Sequence, residues 1–345
     1  MSSPDTKCCP ILRKAKVRWI ICCLFIILIV ISSGISLLFP RSLALAQRPD
    51  FNIVAAGDWG CGMQANITLD SILKKQPEVV LALGDLSYEK TADCWLNLVK
   101  PIIGKLKLAI GFHDLDQNGK YSREEQYLKA INLSKPYYSF NYQNVHFVAL
   151  ATEIAYNVTD GQLLNVDEYR FLDTDLNKAS KMNDINWIIV FGYRPLYSSP
   201  SVHNASGILR DTYHPLFDKY GVDLVIQAHN HNYQRTHPLR YNPNRPAAPT
   251  IDNTSKGYHS NGYSGPIFIT AGTAGQDLYG FTGKAPYVVT QFPRNGFLNI
   301  NVAKNGTSLE TSFIDSNNGE VLDQNLGLPS TWRSVMACTI SELRK

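Results

Sequence analysis

Two stretches, Phe51-Asn52-Ile53-Val54-Ala55-Ala56-Gly57-Asp58-Trp59-Gly60 and Val79-Val80-Leu81-Ala82-Leu83-Gly84-Asp85-Leu86-Ser87-Tyr88, share one design. Each is a short apolar run that stops at Gly-Asp. Such runs, bounded by glycine, predict strands buried on both faces, and the segment between them reads as a helix over roughly Ile67 to Lys75. The pattern continues. Leu106 to Ile110, itself preceded by a helix, ends at Gly111-Phe112-His113-Asp114, and Phe147 to Leu150 is followed by a helix from about Val166 to Ser180. Trp187 to Phe191 ends at Gly192-Tyr193-Arg194-Pro195, and Leu224 to Ile226 ends at Gln227-Ala228-His229-Asn230-His231. Alternating strands and helices predict an α/β fold, in which ligands bind beyond the carboxyl ends of the strands. One Gly-Asp is ordinarily a turn or a cap; five strand ends carrying Asp, His or Tyr predict a site. From Gly265 to about Asp323 the pattern changes to short β-type runs with turns at Asn295-Gly296, Asn305-Gly306 and Asn318-Gly319.

The composition, 44% hydrophobic and 18% charged over 345 residues, is globular. Net charge is +4, but Lys7, Arg13, Lys14, Lys16, Arg18 and Arg41 precede position 47 against Asp5 alone, leaving 27 cations and 28 acids after it. No nucleic-acid partner is indicated. Trp19 to Phe39 is almost unbroken apolar sequence, long enough to cross a bilayer, and the cations ahead of it put the N-terminus inside and the rest outside. Ala44-Leu45-Ala46 has the spacing of a signal-peptidase site. Two outcomes stay open, a retained anchor facing outside or secretion after cleavage near Ala46. The expected organisation is a basic cytoplasmic tip (1–18), a membrane anchor or signal segment (19–39), a linker (40–50), one domain (51–325) and a tail (326–345). Sequons at Asn66, Asn132, Asn157, Asn204, Asn253 and Asn305 agree with export. Cys8, Cys9, Cys22 and Cys23 lie in the tip and apolar run, whereas Cys61, Cys94 and Cys338 lie beyond it. Cys61 and Cys94 each follow a strand ending in Gly-Asp, so they are expected side by side, as a disulfide or as two buried thiols.

Asp58, Asp85, His229 and His231 are oxygen and imidazole donors suited to Fe, Mn or Zn. Tyr88, three residues after Asp85, can set its phenol on the same ion, and a phenolate favours Fe(III). Gly57-Asp58-Trp59-Gly60, Gly84-Asp85-Leu86-Ser87-Tyr88, Gly111-Phe112-His113-Asp114, Gly192-Tyr193-Arg194-Pro195-Leu196-Tyr197 and His229-Asn230-His231-Asn232-Tyr233-Gln234-Arg235-Thr236 resemble the five ordered blocks of calcineurin-like metallophosphoesterases. Tyr88 and the ending His-x-His-x-Tyr-x-Arg-Thr point to the purple acid phosphatase branch, over about residues 51–315. The resemblance implies a four-layer αββα sandwich of two mixed sheets flanked by helices. It implies that Asp58, Asp85, Tyr88 and His231 hold Fe(III), and that a second divalent ion (Zn, Mn or Fe) takes the bridging Asp85, an Asn, a His and His229. Here the Asn position is Phe112, which cannot coordinate, and the His position is Tyr193, which can do so only as a phenolate, costly at neutral pH. Phe112 is therefore expected to plug the second pocket and Tyr193 to enter it chiefly as a neutral hydrogen-bonding group. His113 and His203 match catalytic positions that steady the phosphate or protonate the leaving alkoxide, and Arg194 is expected in a salt bridge. Gln234 and Ala228 stand where the branch has Glu and Gly.

Asp114-x-Asp116-x-Asn118-Gly119, Lys120 through its carbonyl, Ser122 and Glu125 fit a 12-residue calcium loop, with a helix from Arg123 to Ile131 as its exit half. The other reading is a polar surface turn. The leading functional expectation is an exported acid-phosphatase-like hydrolase that cleaves small phosphate esters with metal-activated water. The alternatives are a weakly active or inactive extracellular binding module on the same fold, and a one-ion hydrolase that uses Tyr193 as a ligand. Oligomeric state is not legible in the sequence.

Overall fold

Phe51–Ala56 forms β1, which pairs in parallel with β2 (Val79–Ala82) and antiparallel with β12 (Gly296–Val302). Added to β3 (Leu106–Leu108), β13 (Leu309–Asp315) and β14 (Val321–Gly327), these make a six-stranded sheet ordered β14-β13-β12-β1-β2-β3. The second sheet runs β11 (Val288–Phe292), β8 (Tyr233–Arg240), β10 (Ile267–Ala271), β7 (Leu224–Gln227), β6 (Trp187–Phe191), β5 (Val145–Ala149) and β4 (Tyr138–Tyr142), with β9 (Thr250–Ile251) on β8. Both sheets are mixed: the first is parallel from β1 to its β3 edge and antiparallel from β1 to its β14 edge, and the second has a parallel centre with antiparallel flanks. The computed structural model describes residues 50–115, 123–156, 166–251, 265–303, 306 and 308–327. The apolar run 19–39, the cleavage motif, the tail from 328, and Asn157, Asn253, Asn305 and Cys338 lie outside them. Among the described residues no helix is long and apolar enough to cross a membrane.

The alternation of side chains along each strand builds three cores. Ile53, Ala55, Leu298 and Ile300 of one sheet meet Phe147, Ile189, Ile226 and Ile269 of the other. The opposite face of β1, Val54 and Ala56, packs on α1 (Met63–Lys75) and α2 (Asp93–Leu98) through Leu69, Ile72 and Trp95. Ile188, Val190 and Val225 pack on α5 (Val166–Ala179) and α6 (Gly207–Tyr220) through Leu172, Leu176 and Phe217. Helices thus cover the outer face of each sheet, which is why the central strands are apolar throughout rather than alternating. Two short helices complete the described set, α3 (Arg123–Ala130) and α4 (Thr152–Tyr156). The helix expected before β3 is only α2 followed by a 3-10 turn, Lys100–Lys105, because Pro101 cannot extend an α-helix that began at Asp93.

Polar clamps lock the sheets at both edges. The Tyr138 hydroxyl accepts from the Leu108 N–H and donates to its carbonyl, each at 2.9 Å. At the other edge the Arg235 guanidinium grips both oxygens of Asp323 on β14, at 2.6 and 2.8 Å, and the Tyr233 hydroxyl joins at 2.8 Å. The last motif block therefore divides its work: His229 and His231 face the site, while Tyr233 and Arg235 hold the sheets together.

Candidate metal centre

Three strand ends turn through the left-handed region without glycine: Asp58 (φ 56°) after β1, Asp85 (φ 49°) after β2 and His229 (φ 71°) after β7. Each costs on the order of 1–2 kcal/mol, offset by a mesh that fixes the loops on one another. Asp58 N–H donates to the Gly84 carbonyl (3.0 Å), Trp59 N–H to that of Asp85 (2.9 Å) and Gly57 N–H to that of Ala271 (2.9 Å). The approach is so close that a side chain at Gly111 would strike Asp85, and one at Gly272 would strike Asp58.

Each buried carboxylate uses one oxygen to hold a neighbouring loop. Asp58 Oδ2 accepts the His229 N–H (2.9 Å), and Asp85 Oδ1 accepts the His113 N–H (2.7 Å). The remaining oxygens meet the Tyr88 hydroxyl, which lies 3.4 Å from Asp58 Oδ1, 3.3 Å from Asp85 Oδ2 and 3.4 Å from His231 Nε2. His231 Nε2 is itself 3.4 Å from Asp58 Oδ1. These contacts are longer than a good O–H···O bond of about 2.7–2.8 Å. They equal the edge of a tetrahedron of donors with bonds of about 2.1 Å, which is about 3.4 Å. His231 Nδ1 lies 2.7 Å from the Asp277 carbonyl, which can only accept, so the ring proton sits there and the Nε2 lone pair faces the cluster.

The electrostatics agree. Burial, then the charges of Asp58 and Asp114, hold the Asp85 carboxyl well above the usual range. Burial, then Asp58 and Asp85, push the Tyr88 phenol far up as well. Acids packed this tightly are poised for a cation, which would reverse both shifts. No group of three or more His, Cys, Asp or Glu side chains among the described residues makes a metal cluster by itself; the phenol of Tyr88 is what joins the two carboxylates and the imidazole. Three oxygens and one imidazole suit a hard transition ion such as Fe(III).

The second position is built differently. Tyr193, buried, donates its hydroxyl proton to Asp85 Oδ2 at 2.5 Å and lies 2.7 Å from His229 Nδ1. Arg194 Nη1 is 3.2 Å from His229 Nε2 and can only donate, so Nε2 accepts and Nδ1 carries the proton toward Tyr193. A buried Glu153 anchors the guanidinium through both its oxygens, at 2.5 and 2.9 Å, the salt bridge expected of Arg194. Burial, then the charges of His203 and Arg194, lower His229 to about 2, so it stays neutral. The chain Arg194–His229–Tyr193–Asp85 satisfies every member. In this arrangement His229 has a hydrogen-bond partner on each ring nitrogen, and Tyr193 enters as a hydrogen-bonding hydroxyl. Phe112 is partly buried against the inter-sheet core.

His203 stacks on His229 (4.0 Å, 18°), and His113 lies over the Tyr88 ring (4.3 Å). Burial lowers both imidazoles, with Arg123 adding to the shift of His113 and His231 and Arg194 to that of His203. Asp114 departs from the calcium-loop reading. It is fully buried, and its carboxylate accepts the N–H groups of Leu86 (2.9 Å) and Gly111 (2.8 Å), so it braces the Asp85 loop against the Gly111 loop instead of facing solvent. Glu125 is exposed on α3, while Asp116, Asn118 and Lys120 lie outside the described residues. Cys61 and Cys94 form a disulfide (Cα–Cα 6.0 Å). It ties the Asp58 loop to α2 beside Ser87, whose hydroxyl lies 3.4 Å from Cys94 Sγ. Sequence reasoning missed Glu153, Asp277 and Tyr279. A signal for the last two was present, since Ile267–Ala271 is one more apolar strand stopping at glycine.

Residues 51–233 match the family model described as calcineurin-like phosphoesterase, and residues 265–324 match that of the iron/zinc purple acid phosphatase-like protein C. The chain belongs to the calcineurin-like phosphoesterase family. Relatives of this chain include acid phosphatase type 7 of Homo sapiens, 27% identical over 270 residues, covering 71% of this chain and 60% of the relative. They also include probable inactive purple acid phosphatase 24 of Arabidopsis thaliana, 25% identical over 302 residues, covering 79% and 46%. The chain thus spans about half the length of the curated relatives it matches. Purple acid phosphatase PPD1 from yellow lupin (Lupinus luteus) seeds superposes with a TM-score of 0.70 at 20% identity, covering 85% of this chain and 56% of that one. GAP50, the anchor in the inner membrane complex of Plasmodium, superposes at 0.63 and 18% identity, covering 85% and 94%. At these identities the likeness is one of fold.

Proposed function

We propose that this protein is a phosphate-ester hydrolase working with one firmly held transition-metal ion, bound by Asp58, Asp85, Tyr88 and His231. The observation that carries the reading is the set of donor atoms 3.3–3.4 Å apart around the Tyr88 hydroxyl, beside a second position already filled by the Tyr193 hydroxyl. When bound, the ion supplies Lewis acidity and lowers the pKa of a coordinated water. The chain's own groups do the rest. The Asp277 carbonyl fixes the tautomer of His231, and the backbone N–H groups of His113 and His229 orient the two carboxylates. His113 and His203 flank the cluster and hydrogen-bond the phosphate or the departing alkoxide.

The test is turnover of a chromogenic phosphate ester by iron-loaded full-length protein beside Asp58→Ala. Activity lost in the variant supports the hydrolase; equal rates, or none in either protein, refute it. A second reading is favoured by Tyr193 and Phe112: a binding module that grips phosphate without turning it over. A non-hydrolysing wild type that still binds inorganic phosphate would select it.

Export is part of the proposal. Its supports are the apolar run 19–39 behind basic residues, the Cys61–Cys94 disulfide, and the exposure of the described sequon residues Asn66, Asn132 and Asn204. Attachment to a membrane through residues 19–39, or release near Ala46, follows from the same sequence.

A further inference from the structure

The donor cluster is bordered by a continuous chain of aromatic rings. Phe112 meets His113 edge-on (5.3 Å), His113 lies over Tyr88 (4.3 Å), and Tyr88 meets the edge of His231 (6.4 Å). His231 stacks on Tyr279 (4.0 Å, 11°), Tyr279 meets His203 (5.6 Å), and His203 stacks on His229 (4.0 Å), which leans on Tyr193 (4.8 Å). Six of these rings are placed by the site blocks, and His203 was expected beside them. Tyr279 has no donor role, yet it links the imidazoles of His231 and His203.

Its position is firmly built. Tyr279 N–H donates to the His231 carbonyl at 2.8 Å, and the Asn232 amide donates to the Tyr279 carbonyl at 3.2 Å. The same Asn232 amide reaches Ser201 Oγ (3.0 Å), which donates to the Gly280 carbonyl (2.8 Å), and Thr282 N–H donates to the Pro200 carbonyl (3.1 Å). The loops 198–203 and 276–284 therefore form one stiff wall. Its outward side chains include the half-buried Tyr279 and Phe281, the exposed Val202, 61% open to solvent, and the exposed Asp277, Thr282 and Lys284. Ser201 and Asn232 are used to brace the wall, and Tyr279, packed on His231 and His203, is the ring it sets beside the cluster.

We propose that Tyr279 is a substrate-binding residue selecting phosphate esters of aromatic alcohols, with the aryl group of the ester lying against the Tyr279 wall while its phosphate faces the donor cluster. The inference rests on the phosphoesterase reading for the place of the phosphate, but not on turnover. A flat aromatic group gains stacking and apolar burial against this wall that a small alkyl group does not, and a preformed wall costs little ordering on binding.

The experiment measures calorimetric binding of phenylphosphonate and methylphosphonate, neither of which is cleaved, to full-length wild type, Tyr279→Phe and Tyr279→Leu. Metal content of each preparation is measured alongside. Expected is a preference for phenylphosphonate in wild type and Tyr279→Phe that falls by about two- to tenfold in Tyr279→Leu, with methylphosphonate binding and metal content unchanged. Equal weakening of both ligands, or loss of metal, would mean that Tyr279 acts only by supporting His231, and would overturn the proposal. So would absence of any phenyl preference in wild type. An intact preference in a protein that turns over no ester would refute the hydrolase and leave this assignment standing.

Discussion

The double substitution Phe112→Asn with Tyr193→His probes the second position most sharply. The Tyr193 hydroxyl now lies 2.5 Å from Asp85 Oδ2 and 2.7 Å from His229 Nδ1. An ion in its place with bonds of about 2.1 Å needs each donor to close by only about 0.4 and 0.6 Å, small shifts for side chains. Without metal the variant loses a charge-assisted hydrogen bond to Asp85, about 1.5–3 kcal/mol, and one to His229, about 1 kcal/mol. It also buries an amide in place of the Phe112 ring, about 1–3 kcal/mol. The metal-free protein should therefore unfold more easily by several kcal/mol, and zinc at about 100 times its Kd should return about 2.7 kcal/mol. Thermal unfolding with and without zinc reads the stability, and elemental analysis after dialysis reads the ion count. Tyr193→Phe alone should be destabilised without answering zinc. A folded double variant that neither binds an additional ion nor gains stability from zinc would show that the Tyr193 hydroxyl is not what closes the site.

Three further outcomes follow from other contacts. Tyr88→Phe should remove the visible phenolate-to-iron band while the folded protein keeps its far-UV spectrum; an iron-loaded wild type without colour contradicts a Tyr88 ligand. Cys61→Ser with Cys94→Ser should lower stability by about 3–4 kcal/mol on the chain-entropy model for a separation of 33 residues, read by urea denaturation. Glu168, fully buried, has its carboxyl raised to about 7 by burial. The folded state therefore keeps the proton that the unfolded chain releases above about 4.5, and stability drains away as pH rises from about 4.5 to 7. Glu168→Gln should flatten this slope, the wild-type advantage over the variant shrinking by about 3 kcal/mol across that window; a constant difference would contradict it.

Much of the fold was legible because the central strands are buried on both faces, so they print as apolar runs, and because each site strand must stop at a residue allowing close approach. The first donor set was legible for the same reason: Asp58, Asp85, Tyr88 and His231 follow strand ends directly. What was not legible depends on orientation. Asp114 reads as the opening of a calcium loop, yet its carboxylate turns inward to two backbone N–H groups, and no periodicity records that choice. Tyr193 could be read as a weak ligand or as a filler. Only the placement of Arg194 on the far nitrogen of His229 fixes the direction of the hydrogen bonds. Glu153 acts through a partner 41 residues away, a separation that leaves no local mark.

In the proposed site the donors around Tyr88 hold one transition ion while Tyr193 keeps a second out. Elemental analysis of purified full-length wild-type protein, dialysed against metal-free buffer, tests it directly. One transition-metal ion per chain is expected, lost in His231→Ala; two ions per chain, or none after exposure to iron, would contradict a single site built on Tyr88.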